Sequence, residues 1–483
     1  MTDVPVTGRC AWRGDFASGH SLAVVNDGLV AALERLGVEV ARIPAESPPL
    51  RTDAIGVAAH WPPSWEAPTA GPFAIYQPWE FGEAPALWAE RIRERVDEVW
   101  TASEYSRRSY LAAGVAPELV HVVPNGVDLD RFDPDGPARP LPARPETVFL
   151  FVGGTTYRKG IDLLLEAYGR AFTADDDVLL VLKGFGAGTY YRGQTAEAAI
   201  AAFRERKGSP ALLALDEHLD YDEIPALYRA ADCVVQPYRG EGFCLPALEA
   251  LACGKPLVVT AGGPTDEFAS DACAWRVPSE RVPLLAGALT GEMRPAGEGF
   301  LLEPDLDALV DALRAAADPG ARALRAAWAR PHAERFSWDA AGARAAARLD
   351  ALAGREPIRT IAPAVIPGAR HVVLAVDADW GNPETWTPAL AAYARAFGPD
   401  DDTTLVLPAA DEATATASIS SFLDRSAIDA DALGDIVVAD SSTLAAGALE
   451  LTADAFVCAG PARPARARRV LEPEPDALRS LLS

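Results

Sequence analysis

Basic residues are under-represented in this chain: 44 Lys and Arg stand against 69 Asp and Glu, a formal charge of −25. So acidic a protein is a poor general partner for nucleic acid or an anionic membrane surface, and any phosphate it binds needs a local positive pocket. Long apolar runs are missing as well. None approaches the roughly 18 to 20 residues of a spanning helix, so no integral membrane segment is expected. Residues 1–11 lack the basic start and apolar core of a signal peptide, which leads to the expectation of a cytoplasmic protein. Cysteine is sparse: Cys10, Cys233, Cys244, Cys253, Cys273 and Cys458 form no C-x-x-C pair and no zinc-type cluster. Buried, reduced thiols are expected in place of disulfides. Acidic triplets such as Asp377 with Asp379 arise by chance at this composition, and neither a metal nor another cofactor is expected.

What is present is a globular composition, 49% hydrophobic and 23% charged, over 483 residues, a length that suggests two to four domains. Short apolar runs alternate with helical stretches from the start: IGVAAH ends at His60, FAIYQ at Gln77 and DEVWTAS at Ser103. That alternation predicts parallel sheets covered on both faces, with ligands at the carboxyl ends of the strands. Proline-rich polar stretches at 133–146 and 353–370 read as linkers. They divide the chain into an N-terminal Rossmann-like domain at 1–138, a second domain at 139–352 that ends in a long helix, a linker at 353–370 and a tail at 371–483.

The most informative stretch, residues 238–267, reads YRGEGFCLPALEALACGKPLVVTAGGPTDE. Gly240 and Gly242 loosen a loop, Pro246 occupies a first helical turn, and Gly254 with Pro256 ends the helix before the strand LVVT. A glycine-rich loop at a helix N-terminus presents free N–H groups and the positive end of the helix dipole, which favours an anionic ligand such as phosphate. Glu241 lies on the loop and Glu249 inside the helix, so they reach different parts of one extended ligand.

These residues resemble the donor-binding signature of family 4 retaining glycosyltransferases of the GT-B fold, E-G-F-x-L-P-x-x-E followed by A-x-x-C/A-G-x-P-V/L-V. The resemblance covers about residues 10–352 and implies two Rossmann-like parallel-sheet domains facing a cleft. The acceptor would lie on the first domain and a nucleotide-diphosphate sugar on the second, with the last helix of the second crossing back onto the first. It implies that Glu241 contacts the donor sugar and Glu249 the ribose, with Gly242, Phe243, Cys244 and Leu245 along the donor. Lys159 would neutralise the diphosphate. The family has an arginine where this chain has Gly154, so Arg158 is expected to supply that charge from a shifted position. Lys183 is either a further phosphate ligand or a strand-end lysine pointing into water. Gly19, possibly with His20, belongs either to a phosphate-facing loop or to a plain turn. His60 is either a histidine near the reacting sugar or a structural one beside Trp61 and Pro62, while Trp79 and Glu80 are placed on the acceptor side.

The tail echoes the second domain. VFLFV at 148–152 recurs as VVLAV at 372–376, and AYGRAFTADDDVLLVL at 167–182 as AYARAFGPDDDTTLVL at 392–407. The charges do not recur: Lys183 becomes Pro408, and nothing follows that matches Glu241 or Glu249. A truncated, site-less Rossmann-like repeat is therefore expected, serving packing or homo-oligomerisation. The expected activity is retaining hexosyl transfer from a nucleotide-diphosphate sugar to a glycan or other hydroxyl acceptor, in glycan or polysaccharide biosynthesis. A non-catalytic nucleotide-sugar-binding or scaffold protein and a glycoside phosphorylase are the alternatives.

Overall fold

The structure is a computed structural model. It describes residues 9–16, 21–47, 52–185, 189–191, 194–215, 217, 219–285, 288–360, 366–441, 444, 448–459, 464, 467 and 469–482. Gly19 and His20 lie outside these residues.

The first sheet has six strands: β1 (Cys10–Gly14), β2 (Val40–Pro44), β3 (Ile55–Ala59), β4 (Phe73–Tyr76), β5 (Glu98–Thr101) and β6 (Val120–Val122). They lie in the order β2-β1-β3-β4-β5-β6, all parallel. Helices α1 (Ser21–Arg35), α2 (Ala86–Arg95) and α3 (Glu104–Ala112) connect them.

A second parallel sheet contains β7 (Thr147–Gly154) and β8 (Val178–Phe185), a small hairpin of β9 (Thr189–Tyr191) and β10 (Gln194–Thr195) intervenes, and β11 (Ala211–Leu215), β12 (Cys233–Gln236), β13 (Leu257–Thr260) and β14 (Ala274–Val277) complete it. Its order is β11-β8-β7-β12-β13-β14, the doubly wound arrangement with β7 at the switch point. β7 reads TVFLFVGG and is buried through Gly153, the near-continuous apolar run that a strand covered on both faces requires. Its helices are α4 (Ile161–Ala171), α5 (Ala196–Glu205), α6 (Ile224–Ala230) and α7 (Leu245–Ala252). An antiparallel hairpin, β15 (Ser279–Pro283) with β16 (Phe300–Pro304), leads to α8 (Leu306–Ala317), α9 (Pro319–Ala333) and α10 (Trp338–Leu352).

α10 leaves the second domain and packs along α1 of the first. Two glycines make the approach close: a Cβ on Gly28 would lie 2.4 Å from the Trp338 ring, and one on Gly342 would lie 2.5 Å from Ala32. Arg348 on α10 pairs with the buried Glu98 of β5. One apolar cluster consequently runs from Trp12 and Leu29 through Phe243 and Leu248 to Trp338 and Leu352, so the two domains share a core at their seam.

The tail forms a third sheet, β17 (Val372–Ala375), β18 (Thr403–Ala409), β19 (Asp435–Asp440), β20 (Ala455–Val457) and β21 (Val470–Leu471), with α11 (Thr387–Ala396), α12 (Glu412–Arg425), α13 (Ala448–Thr452) and α14 (Pro475–Arg479). Its order, β19-β18-β17-β20-β21, repeats that of the second sheet with one strand fewer. It carries its own apolar clusters, one around Trp386, Tyr393 and Leu405 and one around Val373, Val406 and Phe456. Among the described residues, its helices and strands pack chiefly on one another. The preceding segment instead holds to the first domain, where the Ile358 N–H donates to Asp97 at 3.0 Å and Arg359 donates to the Gly71 carbonyl at 2.6 Å.

A separate core predicts separate melting. Calorimetry of the full chain should show a transition that disappears when the chain is ended after residue 370, with the remaining transition unmoved. A single transition lost altogether on truncation would mean that the tail is part of the main cooperative unit.

Candidate active site

Two loops at the carboxyl ends of β7 and β12 build the site. After β7 the chain makes one 3-10 turn, Tyr157–Lys159, closed by Gly160 at φ 72°. No other residue fits there: a Cβ on Gly160 would sit 1.9 Å from the Pro237 carbonyl oxygen, and the left-handed backbone disfavours a side chain in any case. After β12 comes the loop 237–244, which ends at Cys244, also left-handed at φ 75°, as the N-cap of α7. A non-glycine residue in this region is held there by its surroundings. The Arg158 carbonyl accepts from the N–H groups of Arg239 at 2.6 Å and Gly240 at 3.1 Å, which stitches the two loops together.

The first domain closes over the second loop. Gly242 gives its carbonyl to the hydroxyls of Ser103, at 2.6 Å, and Ser106, at 3.3 Å. Glu267 crosses the seam in the same direction, its carboxylate accepting the N–H groups of Glu104 and Tyr105 at 3.1 and 3.0 Å at the start of α3. A Cβ on Gly240 would meet the Glu80 carbonyl oxygen at 2.8 Å and one on Gly242 would meet Pro78 at 2.6 Å, so both glycines are required by contact with the stretch after β4.

Charge concentrates where these pieces meet. Glu241 is bonded to Lys159 and lies 3.3 Å from Arg158, and Arg158 lies 3.4 Å from Glu80 of the first domain. Arg158 also donates to the Gly240 carbonyl at 2.8 Å. Burial alone would raise the pKa of Glu241, but Lys159 and Arg158 outweigh it and hold the carboxyl below its ordinary value. For Arg158 burial likewise opposes the charge, and Glu80 with Glu241 restores it.

These groups line a cavity of about 400 Å³ together with Ser21, Val25, Tyr76 and Asn125 from the first domain and Gly154, Phe243, Cys244 and Leu245 from the second. Tyr76 donates to the Asn125 side chain at 2.5 Å. A larger cavity of about 870 Å³ lies between α1, residues 127–131, Tyr221 and the start of α10. It is lined by Arg35 and Arg131 against Asp27, Asp128, Asp130, Asp222 and Asp339, a negative balance, whereas in the smaller cavity Arg158 and Lys159 balance Glu80 and Glu241.

Of the residues singled out in the sequence, Glu241, Lys159, Arg158, Gly154, Gly242, Phe243, Cys244 and Leu245 share this one cavity. Glu249 does not line it. One turn deeper on α7, its two oxygens accept the hydroxyls of Tyr221 and Tyr228, each at 2.8 Å, and burial raises its pKa. Lys183 does not point into water: it is buried and donates to the Gly184 carbonyl at 3.0 Å. It does not line the cavity either. His60, at the end of β3, is not brought to Glu241 and Lys159. Its Nε2 is buried without a hydrogen-bond partner, and burial together with nearby Arg13 lowers its pKa. β4, not β3, feeds the segment that covers the second loop, and that segment places Tyr76, Pro78 and Glu80 opposite the cations. Trp79 is a core residue, fully buried against Trp88 and donating to the Glu83 carbonyl at 2.9 Å. Tyr221 went unnoticed in the sequence because nothing local marks a tyrosine 28 residues away, before β12, as the partner of a helical glutamate.

Residues 137–290 match the family described as Glycosyl transferases group 1. D-inositol 3-phosphate glycosyltransferases are similar in sequence. That of Geodermatophilus obscurus is 35% identical over 245 residues, 45% of this chain and 54% of the relative. That of Streptomyces bingchenggensis is 30% identical over 260 residues, 51% of each. The chain thus spans about half the length of the curated relatives it matches. Among solved structures, a glycosyltransferase from Rickettsia africae superposes with a TM-score of 0.52 at 13% identity, covering 73% of this chain and 100% of that one. A sucrose-phosphate synthase from Thermosynechococcus elongatus gives 0.52 at 17%, covering 71% and 99%. At such identities the likeness concerns the fold, which is α/β with two Rossmann-like parallel sheets facing a cleft, the GT-B architecture.

The charge cluster predicts a pH signature. With its pKa held below 4.5, Glu241 contributes stability above that value, lost as pH falls through the lower folded pKa. Lys159→Met removes a major partner and leaves burial opposed mainly by Arg158, so the carboxyl pKa should rise. The melting-temperature gap between parent and variant should then widen as pH rises from 4 to 7. A gap that stays constant over this range would show that Glu241 and Lys159 are not energetically paired.

Proposed function

We propose that the protein is a retaining glycosyltransferase of the hexosyltransferase type, moving a sugar from a nucleotide-diphosphate sugar to an acceptor hydroxyl in glycan or polysaccharide biosynthesis. The observation that carries the reading is the convergence of Lys159, Arg158, Glu241 and the N-terminus of α7 on one cavity, at the switch point of the second sheet and facing the first domain. The match of residues 137–290 to a glycosyltransferase family supports it.

In this reading the diphosphate lies against Lys159, Arg158 and the N–H groups of residues 242–245, and Glu241, released from part of its cation contacts, holds the sugar. As the bond from the anomeric carbon to the phosphate oxygen breaks, negative charge grows on the diphosphate, where fixed cations and N–H dipoles are already in place. The acceptor hydroxyl attacks the same face and passes its proton to the departing phosphate oxygen, so no carboxylate base is needed. Glu80, from the acceptor side, faces the same point and is placed to orient the hydroxyl. Closure of the two domains excludes water and limits hydrolysis of the donor. Glu249 receives the ribose hydroxyls: a carboxylate accepts about four hydrogen bonds and only two come from tyrosines, so ribose can join them or displace the half-buried Tyr221. The names of the similar proteins make a phosphorylated cyclitol the first acceptor to try.

The reading is tested by thermal shift against nucleoside diphosphates and their sugars, where a ligand at 100 times its dissociation constant stabilises by about 2.7 kcal/mol. No shift with any of them would contradict it. Once the nucleotide is known, Glu249→Ala should weaken it by about 1.5 to 3 kcal/mol, the worth of hydrogen bonds to a charged group. Glu241→Ala should depress turnover more than it depresses affinity for the bare diphosphate. Parental behaviour of both variants would refute the placement of the donor.

A further inference from the structure

Arg239 lies behind the cavity and does not line it. Its side chain is 3% exposed, yet it is among the most heavily bonded groups in the domain. The guanidinium forks onto Asp162 in the first turn of α4, at 2.7 and 2.8 Å, and onto Glu303 of β16, at 2.5 and 3.0 Å. It stacks over the Tyr157 ring at 3.9 Å from the centroid. Burial disfavours its charge and the two carboxylates more than restore it.

The bonds that matter for the site go to the backbone of the 157–160 turn. Arg239 Nη1 donates to the Tyr157 carbonyl at 3.0 Å. The Arg239 N–H donates to the Arg158 carbonyl at 2.6 Å. Those two carbonyls belong to the peptide units that precede Arg158 and Lys159. One residue therefore fixes both planes from which the two cations project, one through its side chain and the other through its main chain. Within the turn the backbone bonds are Lys159 N–H to Thr156 at 2.9 Å and Gly160 N–H to Tyr157 at 3.1 Å, and a single 3-10 turn is weak in isolation. Gly240 N–H shares the Arg158 carbonyl at 3.1 Å, and the other ties are the side-chain contacts of the two cations themselves. Only a planar, bidentate group can grip two carboxylates while stacking on a ring, so lysine is no equivalent here.

We infer that Arg239 is a positioning residue for diphosphate: out of reach of the ligand, it sets the geometry of Arg158 and Lys159 and so determines anion affinity. The inference rests on the reading of the cavity given above. The test uses full-length protein with inorganic pyrophosphate and UDP as probes and uridine as the uncharged control, by isothermal titration. Arg239→Lys keeps the charge and the main-chain bond but loses the fork. Pyrophosphate and UDP affinity should fall by about tenfold to a hundredfold, the usual cost when a supporting group lets a binding group drift by an ångström or less, while any affinity for uridine stays unchanged. Glu303→Gln, which weakens one arm of the fork while leaving Arg239 in place, should move pyrophosphate affinity in the same direction by less, and it serves where Arg239→Lys does not fold. A folded variant that melts lower but binds pyrophosphate like the parent would overturn the inference, since Arg239 would then be structural only. If the parent itself binds neither probe nor any other nucleoside diphosphate, it is the reading of the cavity that fails.

Discussion

A buried carboxylate held between two cations from another loop is the contact on which the site depends. Glu241 alone would be costly to bury, and Lys159 and Arg158 crowded on one short turn would repel each other. Together they offset both penalties. The pairing keeps the 157–160 turn against the 237–244 loop, and those loops carry Arg158, Lys159, Glu241, Gly242, Phe243 and Cys244 of the cavity lining. It also leaves the site charged in both senses before any ligand enters. On the proposed function, an arriving diphosphate would exchange with Glu241 for the cations and leave that carboxylate facing the sugar, so one event would bind the anion and prepare the neighbouring group.

The same cluster reaches across the cleft. Arg158 meets Glu80, Gly242 hangs from Ser103 and Ser106, and Glu267 caps α3. The charged contact is the one a diphosphate would perturb, whereas the serine and Glu267 contacts do not involve the cations.

Much of this was legible in the sequence, and the limits have physical causes. Strands such as VFLFV and the loop EGFCLP announce themselves because period, glycine and proline act locally. Arg158 could be picked out as a cation near Gly154 because it follows only four residues on, just past the end of β7. Sequence left the two readings of His60 open because a strand-end histidine says nothing about which strand ends meet the other domain; residues after β1 and β4, on either side of β3, line the cavity and His60 does not. Trp79 was placed with Glu80 on the acceptor side because the sequence hides the cluster it joins with Trp88 and Phe81. Arg239 and Tyr221 act through partners 60 or more and 28 positions away respectively, distances over which no local pattern exists.

The most direct test of the account is a crystal structure with a bound nucleoside diphosphate, measured from the β-phosphate oxygens. The account predicts contacts of about 2.7 to 3.2 Å to Lys159 Nζ and to at least one N–H among Phe243, Cys244 and Leu245, with Glu241 no longer held by both cations. A diphosphate seated in the larger cavity beside Tyr221, with Lys159 still on Glu241, would contradict it.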